Sequence, residues 1–526
     1  MSFLLPILLL LSTVMIMIAI RLIWPEFAYH WLIAAIGALA AWLIMLMAGF
    51  QLPQSLNLTS WESQGFFSVS PALLLDRLSW PYAVALATLA LAVILSDVAR
   101  APESDWSAWS GSLVLAALGI FTILAENPIT LLLGWTVIDL AELLVLLSQV
   151  QESRVREKVV VTFSARIFGA GLLIMAVLVT RSLGNSLSFE VIPSSASLIL
   201  VLVAGLRLGV LPLHLPFIRE VQLRRGLGTM ARLVPAATSL VLLVRSAAAT
   251  AESGEVIAWR PVILAFSGIV ALYGGAAWAL ADDELDGRPA WILGMASFSV
   301  AGAVLGEPSA SLSWGMALLL SGGLLFLTSV RDRRLIWLSG LGLLAISALP
   351  FTPTWNGARI FFGPFTLLLL PFFIAQVLFL VGYARHVLRE GETMVGAERW
   401  VWLIYPLASG LLMLILFLFG WWSNPGVEDV PIAGWWVGIA AASMAGLVGI
   451  GARRRMLQVS DKFLVLFGGL LSFNWLYRFL WLSYRAVGDL IGFLTTVLEG
   501  EGGVLWALLL IVLFTLMFSG LGLGGF

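Results

Sequence analysis

Apolar runs separated by short polar or charged stretches follow one another along nearly the whole chain. A run of roughly 18 to 25 apolar residues crosses about 30 Å of hydrocarbon as a helix. Such runs fall at 3–22, 29–49, 78–97, 109–125, 129–149, 158–180, 197–215, 231–248, 259–280, 290–305, 312–329, 334–349, 359–384, 400–421, 431–451 and 503–520. They predict an all-α polytopic membrane protein of about fifteen or sixteen transmembrane helices. The first run has no basic leader and no small-residue cleavage site, so it is expected to stay as the first span. Between 461 and 498 the pattern changes, because Lys462, Asn474, Arg478, Arg485 and Asp489 interrupt aromatic and aliphatic residues. That mixture predicts an amphipathic helix lying along the membrane or along its neighbours, with a loop and a short re-entrant helix as the alternative.

Two runs are broken in a related way. LRLGVLPLHLPF at 206–217 and ISALPFTPTWNGARIF at 346–361 each carry Leu-Pro and then a second proline. Proline removes a backbone donor and crowds the preceding turn, so each helix is expected to be interrupted near mid-membrane. Paired interruptions of this kind mark the ion path of inverted-repeat transporters, although an ordinary proline kink remains open at each.

Composition confirms lipid as the solvent: 60% of residues are hydrophobic and 11% charged. Cysteine is absent, which excludes disulfides, thiolate metal sites and cysteine-held iron–sulfur clusters, so redox chemistry must sit on another chain. Loops holding Arg154, Arg156 and Lys158, Arg224 and Arg225, Arg331, Arg333 and Arg334, Arg385 and Arg389, and Arg453 to Arg455 alternate with acidic or neutral ones at 251–255, 306–311 and 424–429. The positive-inside rule makes the arginine side cytoplasmic and places the N-terminus outside.

Ionisable side chains within spans cost several kcal/mol unless paired or hydrated, which makes each a functional candidate. Asp139 and Glu142 stand three residues apart on one helix, close enough to interact. Such a pair in low dielectric resists carrying two charges at once, which suits a proton acceptor. The alternative is that the two acids simply neutralise Arg166 or Arg207 from neighbouring helices. His214, between Pro212 and Pro216, has the chemistry to shuttle protons or to cap carbonyls freed by the break. Arg359 follows the second break and is expected in the place equivalent to Arg207. Asp76 and Arg77 read as an interfacial pair, and Glu126 as a solvated helix-start charge.

These segments together resemble the antiporter-like membrane subunits shared by respiratory complex I (NADH:quinone oxidoreductase), Mrp-type cation/proton antiporters and membrane-bound hydrogenases. DRLSW at 76–80 is similar to the family's Asp-x-Leu-Ser span start, and ENPITLLLGWTVIDLAELLVLL to its Trp-Glu helix. GLRLGVLPLHLPF at 205–217 resembles the lysine-bearing broken helix, DGRPAWILGMASFSVAGAVLG at 286–306 the Asp-x-Lys segment, and ALPFTPTWNGAR at 348–359 the second break. FNWLYRFLW at 473–481 and the last span are similar to the tail of longer members with a lateral helix.

The resemblance implies N-terminal helices over 1–108, a first five-helix repeat over 109–248, a second, inverted one over 259–384, further spans over 385–460, and a lateral helix with a last span over 461–526. It also implies proton translocation within a larger complex I-like, antiporter or hydrogenase assembly, with no active site and no cofactor of the chain's own. Expected partners are other membrane subunits, the lipid bilayer and protons or monovalent cations, with no nucleic acid, in a prokaryotic cytoplasmic (inner) membrane. The chain departs from the family pattern at the charges. The family's glutamate falls on Thr136, leaving Asp139 one turn on; its lysines become Arg207, Arg288 and Arg359; and a histidine and lysine of the second repeat become Leu318 and Gly322. A buried lysine can release its proton, whereas arginine holds it. Protons are therefore expected to pass through Asp139, Glu142, His214 and water, with Arg207 and Arg359 as fixed gates and Thr136, Arg166, Arg232 and Arg288 in support. Two rivals remain: a structural subunit with a degenerate ion path, and an unrelated solute transporter.

Overall fold

The computed structural model describes residues 2–57, 70–100, 106–149, 153–211, 225–330, 334–362, 367–392, 398–422 and 432–453, with isolated positions at 332, 394, 396 and between 482 and 512. Residues 1–459 form one compact unit and 460–526 another. The lateral helix and last span expected in the second unit lie outside the described residues, apart from scattered helical positions.

Fifteen α-helices are described: α1 (Leu5–Ile23), α2 (His30–Ala48), α3 (Ser79–Ser96), α4 (Trp106–Ile123), α5 (Pro128–Gln149), α6 (Ser153–Ser182), α7 (Ser194–Arg207), α8 (Arg225–Glu252), α9 (Gly254–Leu280), α10 (Arg288–Val304), α11 (Pro308–Leu327), α12 (Ile336–Ala345), α13 (Leu370–Val387), α14 (Val401–Trp422) and α15 (Ile432–Arg453). Eleven helical stretches are long and apolar enough to cross a membrane. The chain is therefore an integral membrane protein. Proline stands in the first turn of α1, α10, α11 and α13, where its missing N–H has no intrahelical partner to lose.

α3, α8 and α11 are buried nearly throughout and form the centre, while α1, α2 and α6 expose most of their surface. Close approach of α9 and α10 depends on small residues: a Cβ on Gly274 of α9 would stand 2.6 Å from the Cα of Gly294 on α10, so neither position has room for a side chain. A small antiparallel hairpin, absent from the sequence expectations, pairs β1 (Gln54–Asn57) with β2 (Ala72–Leu75) on the side opposite the arginine loops. β2 is itself tied to the α4–α5 turn, with Leu74 N–H donating to Leu124 O at 2.7 Å.

The helices after α3 run in two sets of five, α4–α8 and α9–α13, and an odd number per set means the sets begin on opposite sides of the membrane. The fourth helix of each is short. α7 stops at Arg207 in a turn closed by Gly209, whose φ of +81° suits a residue without a side chain. Residues 212–224 follow, so Pro212, His214 and Pro216 lie outside the described residues. α12 stops at Ala345, and an irregular segment leads to a 3₁₀ turn at Asn356–Phe361.

Candidate functional site: a buried charge cluster in the first half

Three-residue spacing on α5 sends Asp139 and Glu142 into the bundle, towards α6, α7 and α8. Each of those helices supplies one arginine: Arg166 from the middle of α6, Arg207 from the last residue of α7, and Arg232 from the second turn of α8. All five residues are buried, none more than 5% exposed. Arg207 grips Asp139 with two parallel bonds, Nη1 to Oδ2 and Nη2 to Oδ1, both 2.9 Å. This fork-to-carboxylate geometry needs arginine and would be lost with lysine. Glu142 accepts from both Arg166 and Arg232. Arg166 bridges the two acids, since its Nη1 also lies 3.5 Å from Asp139 Oδ1.

Neighbouring groups fix the geometry. The Arg207 guanidinium lies 4.1 Å from the ring centroid of Trp135, one turn before Asp139 on α5. Trp135 donates its indole N–H to Thr238 of α8 at 3.1 Å. Arg207 Nη1 also donates to the carbonyl of Arg166 at 3.2 Å. The alkyl stem of Arg207 runs against Gly169 of α6, where a Cβ would stand 2.9 Å from its Cγ. Charges this deep persist only when paired, and removing one partner of a buried pair costs about 3–5 kcal/mol.

The other expected residues lie elsewhere. Thr136 faces out of the bundle and donates to Leu132 O. Arg288 opens α10 at the arginine side, 5.3 Å from the Phe326 ring. Arg359 pairs with Glu307, just ahead of α11, at 3.3 Å; the two side chains are 18% and 36% exposed. It is at the opposite membrane end from Arg288 and does not join Asp139 and Arg207. The place in the second half where the family carries its histidine and lysine is apolar. Trp291 donates to Leu318 O at 3.0 Å, and a Cβ on Gly322 would stand 2.4 Å from its Nε1. Trp278, Phe379, Tyr383 and Phe326 surround that indole, with ring centroids 5.1 to 6.5 Å away.

The second break is sealed by side chains. Thr354 donates to Ala345 O and accepts from Ala348 N–H. Gln376 donates to Ser347 O at 3.1 Å, Ser313 to Pro353 O at 2.7 Å, Trp314 to Gly357 O at 3.0 Å and Trp421 to Phe351 O at 3.0 Å. Carbonyls occupied in this way are not free to coordinate an ion.

Several ionic groups were not singled out by the sequence. Arg225, the first residue of α8, holds Glu284 of the α9–α10 turn at 2.7 Å, and Arg389 lies 4.0 Å from both Asp283 and Glu284. His386 of α13 bonds the carbonyl of Trp278 at 3.1 Å and stacks on that indole at 4.3 Å. The partner of Asp76 is Arg245, 3.4 Å away near the far end of α8, and Asp76 Oδ1 also accepts from the N–H groups of Leu78 and Ser79. Glu126 is half-buried rather than fully solvated. Its Oε2 is enclosed with no protein partner among the described residues, and burial, with Glu190 nearby, holds its carboxyl above the usual carboxylate range against the pull of Arg245. A lone arginine late in an apolar helix was the one available signal for Arg245. Among the described residues, no three His, Asp or Glu side chains converge as a metal site.

No family model and no curated protein matches the sequence. Solved structures do. A chain of the Mrp complex from Dietzia sp. DQ12-45-1b superposes with a TM-score of 0.71 at 14% identity, covering 99% of this chain. This chain spans 63% of that Mrp chain's length. A chain of the membrane-bound sulfane sulfur reductase, an archaeal respiratory membrane complex, gives 0.68 at 15% identity over 97% of this chain and 99% of that one. Respiratory complex I from Thermus thermophilus, with bound aureothin, gives 0.58 at 14% over 78% and 97%. At such identities the likeness speaks to architecture: the chain has the fold of these chains of the Mrp complex, the sulfane sulfur reductase and respiratory complex I.

Proposed function

We propose that the chain is an antiporter-like, proton-translocating subunit of a multi-subunit membrane complex of the respiratory or Mrp type, seated in a prokaryotic cytoplasmic membrane. Asp139 and Glu142 take up and release the proton, and Arg166, Arg207 and Arg232 hold the two acids in place at bilayer depth. The observation that carries this reading is the five-charge cluster itself, assembled from the four helices α5, α6, α7 and α8. A purely packed bundle has no use for five buried ionisable groups, each costing several kcal/mol to place in hydrocarbon. The carboxylates are the mobile element because arginine does not part with its proton. His214, the other proton carrier expected from the sequence, lies outside the described residues.

The sealed second break and the Trp291 packing favour a second reading, a structural subunit with a degenerate path. Proton flux separates the two. The complex is isolated from native membranes, its partners are identified, and it is reconstituted into vesicles under an imposed pH gradient with an enclosed pH dye. Asp139→Asn with Glu142→Gln leaves three buried arginines without their acids and is expected to lower the thermal midpoint; flux per assembled complex is expected to be abolished. Flux equal to that of the parent would remove the transport reading and leave the structural one.

A further inference from the structure

Helix α8 carries three buried or half-buried arginines along a length of 28 residues, and each faces an acid from a different part of the chain. Arg225 holds Glu284 of the α9–α10 turn at 2.7 Å. Arg232 holds Glu142 of α5. Arg245 holds Asp76 at 3.4 Å, donates to the carbonyls of Ala125 and Leu74, and stands beside Glu126. Arg225 and Arg232 are seven residues apart, so they share a face and are separated by roughly 10 Å of rise, and the remaining step to Arg245 is roughly 20 Å. The three stations thus extend from one membrane surface to the other.

Resting on the transport reading above, we propose that protons cross this chain along α8, from Glu284 on the cytoplasmic side through Glu142 to Glu126 on the outer side, and not sideways through the second half. Each carboxylate accepts a proton to become a carboxylic acid and returns to carboxylate on passing it, through water, to the next. The arginines stay charged throughout and keep each acid in place between transfers. Both ends reach solvent: Asp283 and Arg389, beside Glu284, are 37% and 49% exposed, and Glu190, beside Glu126, is exposed. The longer step is not bare of polar groups. Pro235 within α8 lacks an N–H, which leaves the Ala231 carbonyl without its helical donor. Thr238 and Ser239 follow on the same helix before Arg245. A lateral route, in contrast, meets Trp291 packed among aromatic rings and a break whose carbonyls are already bonded. Its expected terminus, Arg359, is engaged with Glu307 at the outer end of α11.

The test is proton flux through the reconstituted complex for Glu284→Gln, Glu126→Gln and the paired change Glu307→Gln with Arg359→Gln, with assembly and thermal midpoint recorded for each. Loss of a proton-transfer group costs on the order of 100-fold in rate, so the first two variants are expected to slow flux by about that factor while assembling normally. Glu284→Asp is expected to recover most of the rate, because it keeps the carboxylate; a variant that misfolds would show a lowered midpoint and no such recovery. The paired second-half variant is expected to conduct like the parent. Parent-like flux in both Glu284→Gln and Glu126→Gln, or its loss in the paired variant, overturns the α8 route. Flux that survives Asp139→Asn with Glu142→Gln instead removes the transport reading on which the route rests.

Discussion

The two halves of this chain answer the same design problem with opposite chemistry. At the first interrupted helix, two acids and three arginines pack into a cluster with Trp135 laid against one guanidinium. At the second, the corresponding volume is filled by Trp291, Trp278, Phe326, Phe379 and Tyr383, and side-chain donors close the broken backbone. Two sets of five helices therefore do not carry the same chemistry, which lives in the side chains placed upon them. In a membrane, where both ion pairs and aromatic rings must satisfy themselves without water, either solution is stable, and only the first gathers acids and arginines into one buried cluster.

The sharpest way to break the comparison is to exchange Arg207 for Ala. Asp139 would lose its two-pronged partner at a depth where Arg166 is only a 3.5 Å neighbour, and destabilisation of about 3–5 kcal/mol is expected, read as a fall in thermal midpoint of the purified complex. Arg207→Lys should recover part of that stability but not the paired bonds, and parent-like behaviour in both would show that the cluster is not held by this contact. Trp291→Ala should cost a similar amount, about 3–5 kcal/mol, through the cavity it opens, yet leave proton flux per assembled complex unchanged. A flux defect with normal assembly there would give the second half a part in transport.

A smaller effect is expected at Trp135→Leu, which removes the ring beneath Arg207 and the bond to Thr238: about 1–2 kcal/mol, measured against Thr238→Val in a double-mutant cycle. The smallest concerns Glu126. Its folded carboxyl keeps its proton to higher pH than the unfolded one, because of burial and Glu190, with Arg245 opposing. The folded state then binds more protons, so stability is lost as pH rises from the unfolded to the folded titration range. Glu126→Gln lacks that loss, and its thermal midpoint should exceed the parent's at neutral pH and match it below the usual carboxylate range. Equal midpoints at every pH would show that Glu126 is freely solvated.

Hydrophobic periodicity revealed most spans well, since a residue in hydrocarbon has few alternatives to helix, but α7 ends eight residues before its apolar run does and α13 begins eleven residues after the start of its own. The second interruption was legible from its paired prolines, whereas Pro212 and Pro216 of the first lie outside the described residues. The acids on α5 were legible too, because charge is rare at that depth. What the sequence could not convey was partnership. Nothing local joins Arg225 to Glu284, fifty-nine residues away, or Arg245 to Asp76, and the arginines that replace family lysines look equivalent until Arg207 is seen to grip Asp139 while Arg359 stands at a helix end with Glu307. The β-hairpin escaped because its strands are four residues each, too short for periodicity to register.

The most direct measurement is infrared difference spectroscopy of the reconstituted complex as a pH gradient is imposed and collapsed, comparing the parent with Asp139→Asn and Glu142→Gln. If the buried acids carry the proton, a protonated-carboxyl band appears with the gradient and is lost in one or both variants. A band that persists unchanged in both, or no band while protons still cross, would contradict it.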